Sequence, residues 1–128
     1  MEVRDPIHGL IDYSDIEEKI INIEMFQRLR GIKQLAFASL VYPGAHHTRF
    51  EHSLGAMHLA GKVGENLNLS DEQTKILRLA GLLHDIGHGP FSHVSEQIIE
   101  KYVDKSILNK YKAKNVQEML SIIFIEKK

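Results

Sequence analysis

Three times along this chain a hydroxyl residue stands three places before a glutamate or glutamine, with apolar residues at helical spacing close behind. The strings are Ser14-Asp15-Ile16-Glu17, Thr48-Arg49-Phe50-Glu51 and Ser70-Asp71-Glu72-Gln73. Each has the form of a capping box, in which the hydroxyl accepts from the third residue's N–H and the longer side chain reaches back to the cap. Three helix starts are therefore pinned before any other feature is weighed. After the first, Ile16, Ile20 and Ile23 lead through Phe26 and Leu29 towards Leu35, which predicts a helical segment to about Gln34. After the second, Phe50, Leu54, Met57, Gly61 and Gly64 share one side, with His52, Gly55, Ala56 and Leu59 beside it. Glu51, His58, Lys62 and Glu65 make a polar stripe, so His52 is expected to point inward and His58 outward. After the third, Ile76, Leu77, Leu79, Ala80, Leu82 and Leu83 leave almost no polar face, and a buried helix end is expected there.

The remaining segments fill in an all-α domain. Asp5-Pro6 and His8-Gly9 between short apolar pieces suit an irregular turn or small hairpin over Val3 to Asp12. Tyr42-Pro43-Gly44 breaks the helical pattern, and Gly87 with Gly89-Pro90 stops the third helix. Ser92 is placed to cap a further helix through Tyr102, and a last helical pattern runs from about Val116 to Phe124. The lysine-rich stretch from Asp104 to Asn115 reads as a solvated connection. With 128 residues, no repeat and no linker, five helical segments and one extended piece make a single domain over 1–128. Glycines 55, 61 and 64 inside the second helix cost stability, which implies close packing or a ligand's approach.

Charge and composition remove several classes of function. Sixteen basic against 17 acidic side chains, for a net charge of −1, create no global field for nucleic acid or anionic lipid. Arg28, Arg30, Lys33 and the lysines from Lys101 to Lys114 offer a local surface for single-stranded nucleic acid, but read more simply as a solvated face. Without cysteine there is neither a disulfide framework nor a thiolate metal site. The opening Met1-Glu2-Val3-Arg4-Asp5 lacks the basic then apolar run of a signal peptide, and no stretch approaches the ~20 apolar residues of a membrane helix. The expectation is a cytoplasmic protein with no membrane partner.

Histidine is the anomaly. Seven of the eight lie between His46 and His93. His84-Asp85 follows directly on an apolar helix, where an imidazole and a carboxylate are costly unless paired, hydrogen-bonded or metal-bound. A structural His–Asp hydrogen bond or a helix C-cap would satisfy the pair alone. His88, four residues after His84, and His52 from a neighbouring helix argue for more. Two imidazoles and a carboxylate suit a divalent transition metal, whether Mn, Fe, Ni, Co or Zn.

The strings Asp5-Pro6-Ile7-His8-Gly9, Phe26-Gln27-Arg28-Leu29-Arg30, Ile32-Lys33-Gln34-Leu35, Pro43-Gly44-Ala45, Arg49-Phe50-Glu51-His52-Ser53-Leu54-Gly55 and the run from Ala80 to His93 occur in this order. Together they resemble the deoxynucleoside triphosphate triphosphohydrolase branch of the HD-domain superfamily of metal-dependent phosphohydrolases, from residue 3 to about 97. The resemblance implies an HD-domain helical bundle that hydrolyses deoxynucleoside triphosphates to deoxynucleoside and triphosphate. It implies that His52, His84 and Asp85 are metal ligands, that Arg49 contacts substrate phosphate, and that His88 and His93 lie against the α-phosphate as candidates for proton transfer. It implies that Gln34 and Leu35 lie against the sugar, where a packed aliphatic side chain leaves no room for a 2′-hydroxyl. Mg²⁺ is a further ion that would arrive with the nucleotide substrate, and members of the branch are mostly homo-oligomers.

Departures from the family pattern accompany the resemblance. Its fourth metal ligand, a distal aspartate followed by a lysine and a tyrosine, has no counterpart in the 43 residues after Asp85, so the domain is expected to lack the family's C-terminal part. Asp104 is the one later aspartate, and its lysine-rich surroundings favour the surface. Gln117-Glu118 stands where the family has histidine-glutamate, and Asn22 stands where nucleotide-activated relatives have a guanine-reading aspartate. The alternative to an enzyme is a truncated or degenerate HD module that binds nucleotide, metal or a partner without significant turnover.

Overall fold

The computed structural model describes residues 1–91 and 93–126, and the side chains of all of these except His93 and Val94. Strands β1 (Glu2–Asp5) and β2 (Gly9–Asp12) pair antiparallel, with Glu2 opposite Asp12 and Asp5 opposite Gly9. The carboxylate of Asp5 accepts from the N–H groups of Ile7 (2.9 Å) and His8 (2.8 Å), and Gly9 takes the positive φ of 78° that closes the turn. The expected hairpin is present, and Ile11 carries it into the core, wholly buried.

All three capping boxes form, each with both reciprocal hydrogen bonds. They start α1 (Asp15–Ile21), α3 (Arg49–Asn66) and α4 (Asp71–Leu83). The first helix does not run to Gln34. It ends at Asn22, Ile23 turns extended, and a short α2 (Glu24–Gln27) passes into a tight 3₁₀ turn over Arg28–Gly31. The reason is burial: on one straight helix Ile21 and Phe26 would lie about 140° apart, yet both belong to the core with Leu29 and Ile32. A second 3₁₀ turn, Ala36–Leu40, leads to α3.

Helices α3 and α4 make the main packing surface of the domain. A β-carbon on Gly81 would lie 2.9 Å from the carbonyl oxygen of Ala56, so glycine is what lets the two backbones approach this closely. Phe50, Leu54 and Met57 of α3 and Leu82 of α4 join Ile11, Ile21, Phe26, Leu29, Ile32 and Ile86 in one core, with Phe26 edge-on to Phe50.

Three further expectations fail here. The end of α4 is buried on one side only. Leu82 faces the core, while Ile76 is 62% exposed and Leu79, Ala80 and Leu83 line an open groove with Ile125 of α7 (Val116–Glu126). Local hydrophobicity made both sides of α4 apolar, but α3 covers just one. His58 does not point outward: its ring lies 5.3 Å from that of His8, and its Nε2 is buried without a hydrogen-bond partner. The hairpin turn folds over a stripe that helical periodicity assigns to solvent. The lysine-rich connection holds a short helix, α6 (Lys105–Lys110), after α5 (His93–Tyr102). With the early helix divided, there are seven α-helices among the described residues instead of five segments. The expected cap at Ser92 lies outside the described residues.

Candidate functional site

α4 ends at Leu83, with His84 as its C-cap. The chain continues through tight turns in which Ile86 N–H donates to Leu83 and His88 N–H to Asp85. Buried Ile86 anchors this segment from below, and Gly87 lets α7 sit directly on it, since a β-carbon there would lie 2.2 Å from the carbonyl of Gln117. Arg28 holds it from the other side: its guanidinium donates to the carbonyls of His88 (2.6 Å) and Ile86 and covers the Phe124 ring.

On this platform the Asp85 carboxylate is 4% exposed. Arg49, at the first position of α3 and equally buried, donates to its Oδ2 at 2.6 Å. His52, one turn along α3, brings Nε2 to 3.7 Å from Oδ2 and 3.2 Å from His84 Nε2. His84 Nε2 is 3.3 Å from Asp85 Oδ1. Burial pushes the Asp85 carboxyl up, but the hydrogen bond from His88 and the charges of His84, Arg49 and His88 outweigh it and hold the group well below the usual carboxylate range. His52 is held below the ordinary imidazole value, first by burial and then by His84 and Arg49, against the pull of Asp85.

The ligand atoms of His52, His84 and Asp85 all lie within 4.8 Å of one another. Their chemistry fits a divalent metal. His84 Nδ1 lies 2.8 Å from the carbonyl oxygen of Gly81, which can only accept, so Nδ1 carries a proton and Nε2 is the ring nitrogen turned to the cluster. His52 is kept neutral and Asp85 ionised, which are the forms that bind metal.

Gln34, Leu35, Arg49, His52, His84, Asp85, His88 and Gln117 line one open cavity of about 470 Å³. The expected site residues thus meet in one place, apart from His93, whose side chain lies outside the described residues. His88 is 3% exposed, with Nε2 3.2 Å from Asp85 Oδ1 and Nδ1 2.5 Å from Glu96 Oε1 on α5. Asp104 is elsewhere, capping α6 on the surface by accepting from Ser106 N–H, and Asn22 is the exposed C-cap of α1.

Sequence reasoning missed Glu96, the role of Gln117 and the purpose of Arg28. Gln117 donates from Nε2 to the His84 carbonyl at 3.2 Å, across 33 residues. Arg28 reads as a surface charge and is a brace. Its neighbours are engaged too: Arg30 lies 3.6 Å over the Phe50 ring and Lys33 donates to the His46 carbonyl.

Comparison with known proteins adds kinship to this geometry. A family model described as "HD domain" matches residues 49–125. The chain is 54% identical over 94 residues to an uncharacterized protein of Methanocaldococcus jannaschii, covering 73% of this chain and 20% of that protein. It is 48% identical over 99 residues to the human deoxynucleoside triphosphate triphosphohydrolase SAMHD1, covering 72% of this chain and 16% of the relative. A crystal structure of a hypothetical protein from Aquifex aeolicus superposes on 98% of the chain with a TM-score of 0.78 at 36% identity, and 31% of that protein is covered. The chain therefore spans about a fifth or less of these two curated relatives' length.

Proposed function

The chain belongs to the HD-domain family, and on that premise we propose that it is a metal-dependent phosphohydrolase acting on deoxynucleoside triphosphates, releasing deoxynucleoside and inorganic triphosphate. One observation carries the reading: two imidazoles, an ionised carboxylate and a buried arginine converge on a cavity that Gln34 and Leu35 also line. His52, His84 and Asp85 would hold a divalent ion, Mn, Fe, Ni, Co or Zn. Such an ion, when bound, polarises a phosphoryl oxygen and lowers the pKa of water.

The chain's own groups supply the rest. Arg49 sets its positive charge in the cavity wall, where a phosphate's charge is complemented. His88 is the candidate to move a proton to the leaving oxygen, with Glu96 at Nδ1 and Asp85 at Nε2 fixing its ring. His93 is its companion in this reading. Leu35 crowds the sugar's 2′ position, so a hydroxyl there would clash or lose its water partners on burial. The single domain over 1–128, Mg²⁺ on the nucleotide, a cytoplasmic location and assembly into homo-oligomers complete the reading. No described helix is long and apolar enough to cross a membrane.

A second reading, binding without turnover, is favoured by the metal cluster itself, which has three protein ligands among the described residues. Incubating the Mn-loaded chain with deoxy- and ribonucleoside triphosphates and resolving the products by anion exchange decides between them. Triphosphate released from deoxynucleotides is the expected result. Orthophosphate as first product, or equal rates on ribonucleotides, would refute the first reading, and nucleotide binding with no product would select the second.

A further inference from the structure

Two aromatic rings that the proposed reaction leaves unused join the two sides of the candidate site. Phe37 stands two residues after Leu35, and Phe91 three residues after His88. Their rings stack with centroids 5.1 Å apart and planes 19° apart, while each residue remains more than half exposed. Stacked pairs in contact with water gain less from burial than core pairs do, so their position calls for another account.

The backbone supplies one. Ala36 and Phe91 both have positive φ, 47° and 63°. A residue with a β-carbon is held in the left-handed region only where its surroundings over-determine it. One of these two sites immediately precedes Phe37, and the other is Phe91 itself. Strain is thus located at the base of each ring.

The Gln34–Leu35 side is already tied to α3: Gln34 N–H donates to His47, Arg49 N–H donates to Ile32, and Lys33 bridges to Thr48. The His84–His88 side is held by Arg28 and α7. Stacking of Phe37 on Phe91 links the two sides beyond these ties. Beside the rings lies a smaller cavity of about 300 Å³, lined by Lys33, Ala36 and Pro90 among others. We propose that the Phe37–Phe91 stack is a positioning device that sets the separation between the Leu35 wall and the His88 wall, and so the room left at the sugar. It rests on the proposed nucleotide reading and names the residues that tune its specificity.

The test uses the full chain loaded with Mn²⁺, with Phe37→Ala and Phe37→Tyr beside the parent. Hydrogen exchange is followed for amides 33–38 and 86–91, and equilibrium binding of dATP and ATP gives the deoxy-to-ribo affinity ratio with or without turnover. Phe37→Ala is expected to raise exchange in both segments and lower the ratio on the order of 10-fold, with Mn²⁺ affinity unchanged. Phe37→Tyr, which keeps a stacking ring, restores both. Faster exchange confined to 33–38, or an unchanged ratio in a parent that discriminates, overturns the proposal. Should the parent bind dATP and ATP equally, the sugar-reading role of Leu35 fails, and exchange in 86–91 still decides whether the stack couples the two walls.

Discussion

Two buried carboxylates, each paired with an arginine, lie in different parts of this domain and serve different ends. Glu17 is 3% exposed and receives Arg78 on both oxygens, at 2.7 and 2.9 Å, together with the N–H and hydroxyl of Ser14. Arg78 also donates to the carbonyl of Asp12, so one ion pair fastens the hairpin, α1 and α4 together. Asp85 is about as buried but receives one short bond from its arginine, and three imidazoles surround the rest of it. Burial raises both carboxyl pKa values, and the donors around each lower them further than burial raises them. The depression of pKa alone therefore does not separate structure from function. What separates them is that the donors at Glu17 are an arginine, a hydroxyl and a backbone N–H, whereas those at Asp85 include titratable imidazoles, two of which are candidate metal ligands.

The largest effect on stability is expected at the centre. Asp85→Asn leaves the Arg49 charge buried without its carboxylate, and urea denaturation should show a loss of about 3–5 kcal/mol, with metal binding abolished. A loss under ~1 kcal/mol would mean that Asp85 is no true partner of Arg49. Arg78→Met should cost less, about 1.5–3 kcal/mol, because Ser14 still satisfies part of Glu17. Metal affinity in that variant should equal the parent's; a changed affinity would show that the clamp and the centre act as one unit.

Acidification gives a smaller effect with a definite sign. His58 is held below its ordinary value of 6.5, first by burial and then by Lys62, His8 and Arg78, with Asp5 pulling the other way. The folded chain then binds fewer protons than the unfolded one below that value. Stability is full above pH 6.5, falls as the pH drops beneath it, and stops falling below the folded pKa. Tm measured from pH 7.5 to 5 should decline, and His58→Gln should flatten the decline; an identical slope in the variant would remove His58 from the account.

The smallest change in stability is paired with a complete change in chemistry. The His84 side chain is 41% exposed, so His84→Ala should shift metal-free stability by no more than about 0.5 kcal/mol. Elemental analysis should nevertheless find the metal gone. Full occupancy in that variant would contradict the ligand set and leave Asp85 resembling Glu17, a structural carboxylate.

How legible these regions were in the sequence follows the range of the contacts that build them. The capping boxes at Ser14, Thr48 and Ser70 and the Asp5 turn could be read directly, because each is closed by hydrogen bonds across two or three residues. The His84-Asp85 pair was legible as chemistry, since such groups at the end of an apolar helix demand a partner. The Arg28 brace was not legible: its acceptors lie 58 and 60 residues away and are backbone carbonyls, which carry no side-chain signature. Nor was the solvent-facing side of α4, because hydrophobicity records what a face can bury and says nothing of whether a neighbour covers it.

By itself, then, the amino-acid sequence determined where helices begin, that the domain is built from them, and which imidazoles and carboxylate are candidates to work together. Periodicity, capping and turn chemistry act within a few residues, so they are written locally. Only the tertiary structure decided that Arg49 reaches Asp85 across 36 residues, that His58 packs under the hairpin turn, and that Ile23 breaks a helix the pattern would have continued. The break at Ile23 follows from filling one core with Ile21, Phe26, Leu29 and Ile32 at once. Close packing is a condition on all the elements together, and no short stretch of sequence contains it.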